Sequence, residues 1–259
     1  MPLIEVAGAE LHYRLDGPAD APVVMLANSL GTTLEMWDGQ MAALTRHFRV
    51  LRYDMRGHGG SSVAVEHFDI ECLAQDAVGL LDVLELSSVH FCGLSLGGVV
   101  GMWLGAQASN RLHKLVLSNT APTLGPRLIW DLRIAAVERS GMEAIASNVL
   151  DRWFTPEFRK RDASAVARVR QMLLAIRPEG YVLACEAARA ADQRANAVAV
   201  RVPSLVIAGT YDQATLPSEG RWLAEHVSGA RYVELPAAHL SNIEAAAAFD
   251  DALLGFLAA

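Results

Sequence analysis

Short β-rich runs, most of them apolar, alternate with helical patterns along this chain. Residues 23–27 (VVMLA), 50–53, 89–92 (VHFC), 115–117, 205–208 (LVIA) and 231–235 (RYVEL) are the candidate strands. A strand covered on both faces reads as a continuous apolar run, so these predict a mostly parallel central sheet with helices on both faces. Residues 73–84, 98–108, 218–226 and 243–257 repeat apolar positions at helical spacing and supply the crossovers. Residues 3–15 predict an antiparallel hairpin turning at Val6-Ala7-Gly8-Ala9.

The alternation stops after the sixth strand. From the breaker cluster Ala-Pro-Thr-Leu-Gly-Pro to about residue 195 the pattern is helical throughout. That segment holds twelve Lys and Arg against nine Asp and Glu, whereas the whole chain is net −7. A basic helical insertion on an acidic α/β body predicts a cap. The expected division is a core of residues 1–121 and 196–259 and a helical cap of 122–195. A solvated helical excursion would give the same charge pattern.

Length and composition narrow the classes. At 259 residues the chain has room for one large domain or one domain with a long insertion. With 52% hydrophobic and 20% charged residues it is neither disordered nor collagen-like. Its negative charge makes it a poor non-specific binder of nucleic acid or of an anionic membrane. Residues 86–110 contain no charged side chain, but five glycines interrupt them. They read as a strand, a turn and a buried helix, not as a membrane span. Three cysteines, Cys72, Cys92 and Cys185, lie far apart, without the close pairs of a zinc site. A sparse, odd count fits a reducing compartment. The opening MPLIEVAGAE has no secretory pattern, so a cytoplasmic location is expected.

Gly93-Leu94-Ser95-Leu96-Gly97 matches G-x-S-x-G, with a strand before it and a Gly-rich helix after it. A serine hydroxyl is a weak nucleophile unless it is exposed beside a base. A sharp strand-to-helix turn exposes it, and flanking glycines let backbone approach without a Cβ clash. In this arrangement the acid and then the histidine follow the serine. Of eight histidines only His226 and His239 come late enough. His226 lies in an amphipathic helical stretch. His239 lies in a loop after the RYVEL strand, at the sheet edge where active-site groups gather. Asp212 follows the LVIA strand in Gly-Thr-Tyr-Asp, while the end of the previous strand offers only Ser118-Asn119-Thr120. Ser95, Asp212 and His239 are therefore the candidate triad, with the acid orienting the imidazole.

Two backbone donors must meet the developing oxyanion. By position these are the N–H of Leu96, directly after the serine, and the N–H of Leu30 in Asn28-Ser29-Leu30-Gly31. The Ser29 side chain is a candidate polar contact to substrate. In the cap, Trp130, Arg133, Ile134 and Val137 share one helical face. Arg133 is the candidate anion anchor and Trp130 a pocket wall, although a snorkelling arginine would use the same position. Met142 and Trp153 are further wall candidates, at positions that core packing also explains. Asp54 and Arg56 read as a loop-bracing pair, and Cys92 as a small buried hydrophobe.

With these residues in place, the chain resembles the α/β-hydrolase family over essentially its whole length. More narrowly, it is similar to β-ketoadipate (3-oxoadipate) enol-lactonases. The stretches that carry this are Asn28-Ser-Leu-Gly-Thr-Thr, His90-Phe-Cys-Gly-Leu-Ser-Leu-Gly-Gly, Leu117-Ser-Asn-Thr-Ala and Arg152-Trp-Phe-Thr-Pro-Glu-Phe. The resemblance implies an α/β-hydrolase fold and hydrolysis of an anionic enol-lactone to 3-oxoadipate in aromatic catabolism. Its expected partners are that lactone and water, without metal or cofactor. A general carboxylesterase, a C–C bond hydrolase of ring-fission products, a cofactor-free perhydrolase and a binding-only member of the fold remain as alternatives.

Overall fold

The computed structural model describes residues 2–6, 8–63 and 67–259. The predicted hairpin forms from β1 (Leu3–Val6) and β2 (Ala9–Asp16), with Leu3 opposite His12. Ala7 of its turn lies outside the described residues. Then follow β3 (Val23–Ala27), β4 (Arg49–Tyr53), β5 (Val89–Leu94), β6 (Leu112–Ser118), β7 (Ser204–Gly209) and β8 (Arg231–Leu235). The eight described strands form one sheet in the order β1-β2-β4-β3-β5-β6-β7-β8. β2 joins β4 antiparallel, and every pair from β4 across to β8 is parallel. All six residues of β5 and of β7 are buried, which is why those runs carry no alternation.

The core helices are α1 (Asp38–Leu44), α2 (Ile70–Val83) and α3 (Leu96–Gln107). Between β6 and β7 run α4 (Arg127–Ser140), α5 (Glu143–Trp153), α6 (Pro156–Arg161), α7 (Ala163–Leu174), α8 (Pro178–Ala190) and α9 (Arg194–Ala199). The chain closes with α10 (Pro217–His226), α11 (Ser241–Glu244) and α12 (Ala246–Leu257). Helix α2 begins three residues before its apolar pattern because the Asp69 carboxylate caps it, accepting the Cys72 N–H at 2.9 Å. The single helix expected over residues 243–257 is broken at Ala245, whose φ of −123° and ψ of 45° are not helical. Helix α1 and the 3-10 turn Leu34–Trp37 before it had no counterpart in the sequence pattern.

Polar groups buried beside the sheet brace its loops. Asp54 and Arg56 do not pair with each other as expected. Asp54 takes His12 Nδ1 at 2.7 Å and the N–H groups of Leu34 at 2.7 Å and Gly60 at 2.9 Å. Arg56 instead reaches α2 and grips Asp76 with two nitrogens, Nε lying 2.6 Å from Oδ2. A two-residue spacing in an irregular turn sends the side chains apart, and each finds its partner on another element. His58, in the same turn, is buried, and its Nε2 accepts the N–H of Gly31 at 3.0 Å. Burial chiefly, with nearby Arg177, lowers its pKa to about 4, so the ring is neutral and able to accept.

The helices after β6 dock on these loops. A Cβ on Gly180 of α8 would fall 2.2 Å from the Gly57 carbonyl oxygen, so backbone touches backbone there. Arg177 donates to the Ser61 carbonyl, and the Gln193 N–H to the Pro122 carbonyl at 2.7 Å.

Two stability predictions follow from these buried groups. Asp76→Ala strands the Arg56 guanidinium and should cost about 3–5 kcal/mol in urea unfolding; a loss within experimental error would contradict a buried pair. His58 binds its proton less readily folded (about 4) than unfolded (about 6.5), so the unfolded chain holds more protons between those values. Its contribution is complete above the unfolded value and is lost as pH falls toward the folded one. His58→Gln keeps an acceptor and cannot titrate. It should lose less stability than the native chain between about pH 7 and about pH 4.5. Equal losses would contradict a neutral His58.

Candidate active site

Strand β5 ends at Leu94 and α3 begins at Leu96, so Ser95 alone makes the turn. Its φ is 58° and ψ is −113°, a conformation that costs a non-glycine residue roughly 1–3 kcal/mol and persists only where neighbours over-determine it. The Ser95 N–H donates to the Ser118 carbonyl at 2.9 Å. Its own carbonyl accepts Thr120 Oγ1 at 2.7 Å, and the Gly97 N–H bonds the Asn28 carbonyl at 3.0 Å. Both flanking glycines are required. A Cβ on Gly93 would lie 2.0 Å from the Gly97 oxygen, and one on Gly97 would lie 2.3 Å from the Ala27 oxygen. The elbow therefore locks into the ends of β3 and β6.

Asp212 follows β7 and is buried. Oδ1 accepts the N–H groups of Ala214 at 2.7 Å and Thr215 at 3.0 Å. Oδ2 lies 2.8 Å from His239 Nδ1 and accepts Thr215 Oγ1 at 2.9 Å and Asn119 Nδ2 at 3.0 Å. Burial alone would raise the carboxyl. The charge and hydrogen bond of His239, with Asn119 and the Thr215 amide, outweigh it and hold Asp212 below the usual carboxylate range. Asn119 thus supports the acid from the position after β6 where the sequence offered no carboxylate. Its own φ of 42° is another left-handed exception.

The loop carrying His239 is clamped on both sides. The Ala238 N–H donates to Glu244 Oε2 at 2.9 Å, and the Leu240 N–H to the Trp153 carbonyl at 3.2 Å. Glu244 also accepts the hydroxyl and N–H of Thr155. With Nδ1 turned to Asp212, Nε2 is the ring nitrogen that faces away from the acid.

Ser95 and His239 open on one cavity of about 280 Å³, and Ser29, Leu30, Trp130, Arg133 and Trp153 line it with them. Leu96 begins α3, where helix N–H groups have no intrahelical acceptor. In the facing loop the amides of Ser29, Gly31 and Thr32 bond Met36 Sδ, His58 and the Ser29 carbonyl. Among the described residues the Leu30 amide has no such partner. Met142 is the exception among the expected wall residues. It is buried in the hydrophobic core ahead of α5, outside this cavity.

Two charged wall residues escaped the sequence pattern, Arg152 and Glu219. Arg133 lies over the Trp130 ring at 4.8 Å, and the Trp130 Nε1–H is tied to the Leu124 carbonyl at 2.7 Å. Arg152 donates to the Gln213 carbonyl at 2.7 Å. Burial, and after it the charge of Arg133, lowers its pKa. Among the described residues neither guanidinium makes an ion pair. In the sequence Arg152 stands only beside Trp153, at the head of the Arg152-Trp-Phe-Thr-Pro-Glu-Phe stretch that carries the resemblance. His226 stacks on Trp222 at 3.9 Å and does not line this cavity. Cys92 is buried in β5, and burial pushes its thiol up.

No described helix is long and apolar enough to cross a membrane. The chain is similar to known proteins over most of its length. The enol-lactonase of Burkholderia xenovorans LB400 superposes with a TM-score of 0.98 at 46% identity, over 100% of both chains. 3-Oxoadipate enol-lactonase 2 of Acinetobacter baylyi is 37% identical over 94% of this chain and 91% of its own. A putative carbamate hydrolase RutD of Variovorax paradoxus is 31% identical over 96% of each. The family model of the alpha/beta hydrolase fold matches residues 22–246, and this chain, a hydrolase, belongs to that family.

Proposed function

We propose that the protein opens the enol-lactone of 3-oxoadipate to 3-oxoadipate with Ser95 as nucleophile. The observation that carries this reading is the shared cavity. Ser95, a histidine bonded to a buried carboxylate, and two guanidiniums that make no ion pair among the described residues line it together. The enol-lactonase names of the relatives support the same substrate.

In this mechanism Ser95 Oγ attacks the lactone carbonyl while His239 Nε2 takes its proton. Asp212 holds the imidazole in the productive tautomer and stabilises the imidazolium. The Leu30 and Leu96 N–H groups receive the oxyanion; losing one such donor typically costs about 3 kcal/mol. The leaving group is an enolate, weaker as a base than an alkoxide, and it stays tethered to the acyl group. The proton from Ser95 passes from His239 to solvent, the enolate gains one on carbon, and water activated by the neutral His239 then hydrolyses the acyl-enzyme and frees Ser95.

Arg133 and Arg152 bind the substrate carboxylate, with Trp130 and Trp153 as apolar walls and Ser29 as a polar contact. Positive charge focused there draws an anion to a protein whose net charge is −7. Residues 122–195 act as the cap over a core of 1–121 and 196–259. The free thiols of Cys72, Cys92 and Cys185 fit action in the cytoplasm.

The reading has direct tests. Ser95→Ala should lower lactone turnover about ten-thousand-fold or more while circular dichroism stays native; retained turnover would remove Ser95 as nucleophile. Arg133→Ala should raise KM for the lactone about tenfold or more, with little change for p-nitrophenyl acetate, because only the lactone carries a carboxylate. Equal changes for both substrates would remove Arg133 from the anion site. A general carboxylesterase would also turn over the neutral ester as well as the lactone.

A further inference from the structure

Glu219 has no task in the steps above, yet it lines the same cavity as Ser95 and His239. It lies in the first turn of α10, on the segment that runs from Asp212 through Thr215 into that helix. The acid side of the cavity is therefore one continuous stretch of chain, with His239 beside it. The guanidiniums of Arg133 and Arg152 come from the helices after β6. Among the described residues no cation pairs with the Glu219 carboxyl. Burial first, and then the negative charge of Asp212, raise its proton affinity, against the pull of the Leu216–Glu219 backbone contact.

Opening an enol-lactone leaves a proton to be placed on carbon. Cleavage of the acyl C–O bond sends its electron pair to the ring oxygen and yields an enolate. The ketone forms only when the adjacent ring carbon gains a proton. His239 delivers protons to oxygen, and its imidazolium is next needed, deprotonated, to activate water. A second proton donor, an acid facing the cavity, would supply it.

We propose that Glu219 is that acid, and that it protonates the enolate carbon while the acyl chain is still bound to Ser95. In its protonated form the carboxyl gives its proton to carbon, a C–H bond forms, and the enolate electron pair collapses to the ketone C=O. The Glu219 carboxylate is then reprotonated by the proton that His239 gained from Ser95, passed through solvent. Neutral His239 activates water for release of the acyl chain. The sum is lactone plus water giving the keto acid. This inference rests on the enol-lactonase reading and adds a ketonisation activity to the same site.

The experiment mixes lactone rapidly with native enzyme and with Glu219→Gln, and follows the lactone and ketone carbonyl bands separately by infrared. In the native enzyme the ketone should rise as the lactone falls. In Glu219→Gln the ketone should trail lactone loss by about tenfold or more in half-time, and the lag should shorten as a general-acid buffer is added. Glu219→Asp, which restores a carboxyl, should shorten it without buffer. Coincident bands in Glu219→Gln, or a lag that Glu219→Asp leaves unchanged, would overturn the proposal. Native enzyme that fails to consume the lactone would instead overturn the enol-lactonase reading itself.

Discussion

The buried carboxylate of Asp212 is the group on which the rest of the site depends. Five donors meet it: two backbone amides of its own loop, the Thr215 hydroxyl, Asn119 from the end of β6 and His239 from the loop after β8. An ionised carboxylate taken out of water without partners would be expensive, and would neutralise instead. Here the partners hold it ionised, and the ionised form fixes the imidazole. Three strand ends must be in register for all five bonds to form. The parallel order β5-β6-β7-β8 supplies that register, with Ser118 opposite Ile207 and Gly209 opposite Leu235. The sheet is thus a positioning device for one acid and one base, and the strained turn at Ser95 brings the hydroxyl to their edge.

The helices after β6 are tied to the same residues. Trp153 lines the cavity, while its carbonyl accepts the Leu240 N–H directly after His239. Glu244 joins Thr155 to Ala238, directly before it. Arg152 reaches the carbonyl of Gln213, next to Asp212. The wall that carries Arg152 and Trp153 and the loop that carries His239 therefore share backbone contacts, so their positions are set together. On the other side, the Gly57–Gly180 approach couples α8, and the Gly31–His58 bond the loop after β3, to the turn after β4.

Much of this was legible in the chain itself. The runs VVMLA and RYVEL became strands with the predicted ends; VVMLA is buried almost throughout and leaves an unbroken apolar signature, whereas RYVEL is buried only at Leu235 and was legible from its Tyr-Val β-forming pair. The elbow was readable because its chemistry needs glycine on both sides of the serine. The remainder depended on contacts between distant residues. Arg56 and Asp76 are twenty positions apart, and Asn119 and Asp212 ninety-three, so no local pattern announces either pair. Arg152 and Glu219 sit on amphipathic helices, where a charged residue facing a cavity looks like one facing solvent. Met142 failed in the opposite sense, since an apolar residue at a helix start serves a core as well as a pocket wall. The short helix α1 carries Asp38, Gly39 and Gln40 at its start, a composition that reads as loop until the buried Gln40–Asn242 bond is known.

The central claim is that Asp212 and His239 make the hydroxyl of Ser95 reactive within a cavity built for an anion. Its most direct measurement is labelling with a fluorophosphonate, which modifies a serine only when a neighbouring base activates it. Peptide mass analysis should find the adduct on Ser95, and a dicarboxylate such as 3-oxoadipate should protect that residue. An enzyme that hydrolyses the lactone while Ser95 remains unlabelled, or is labelled at the same rate with the dicarboxylate present, would contradict the account.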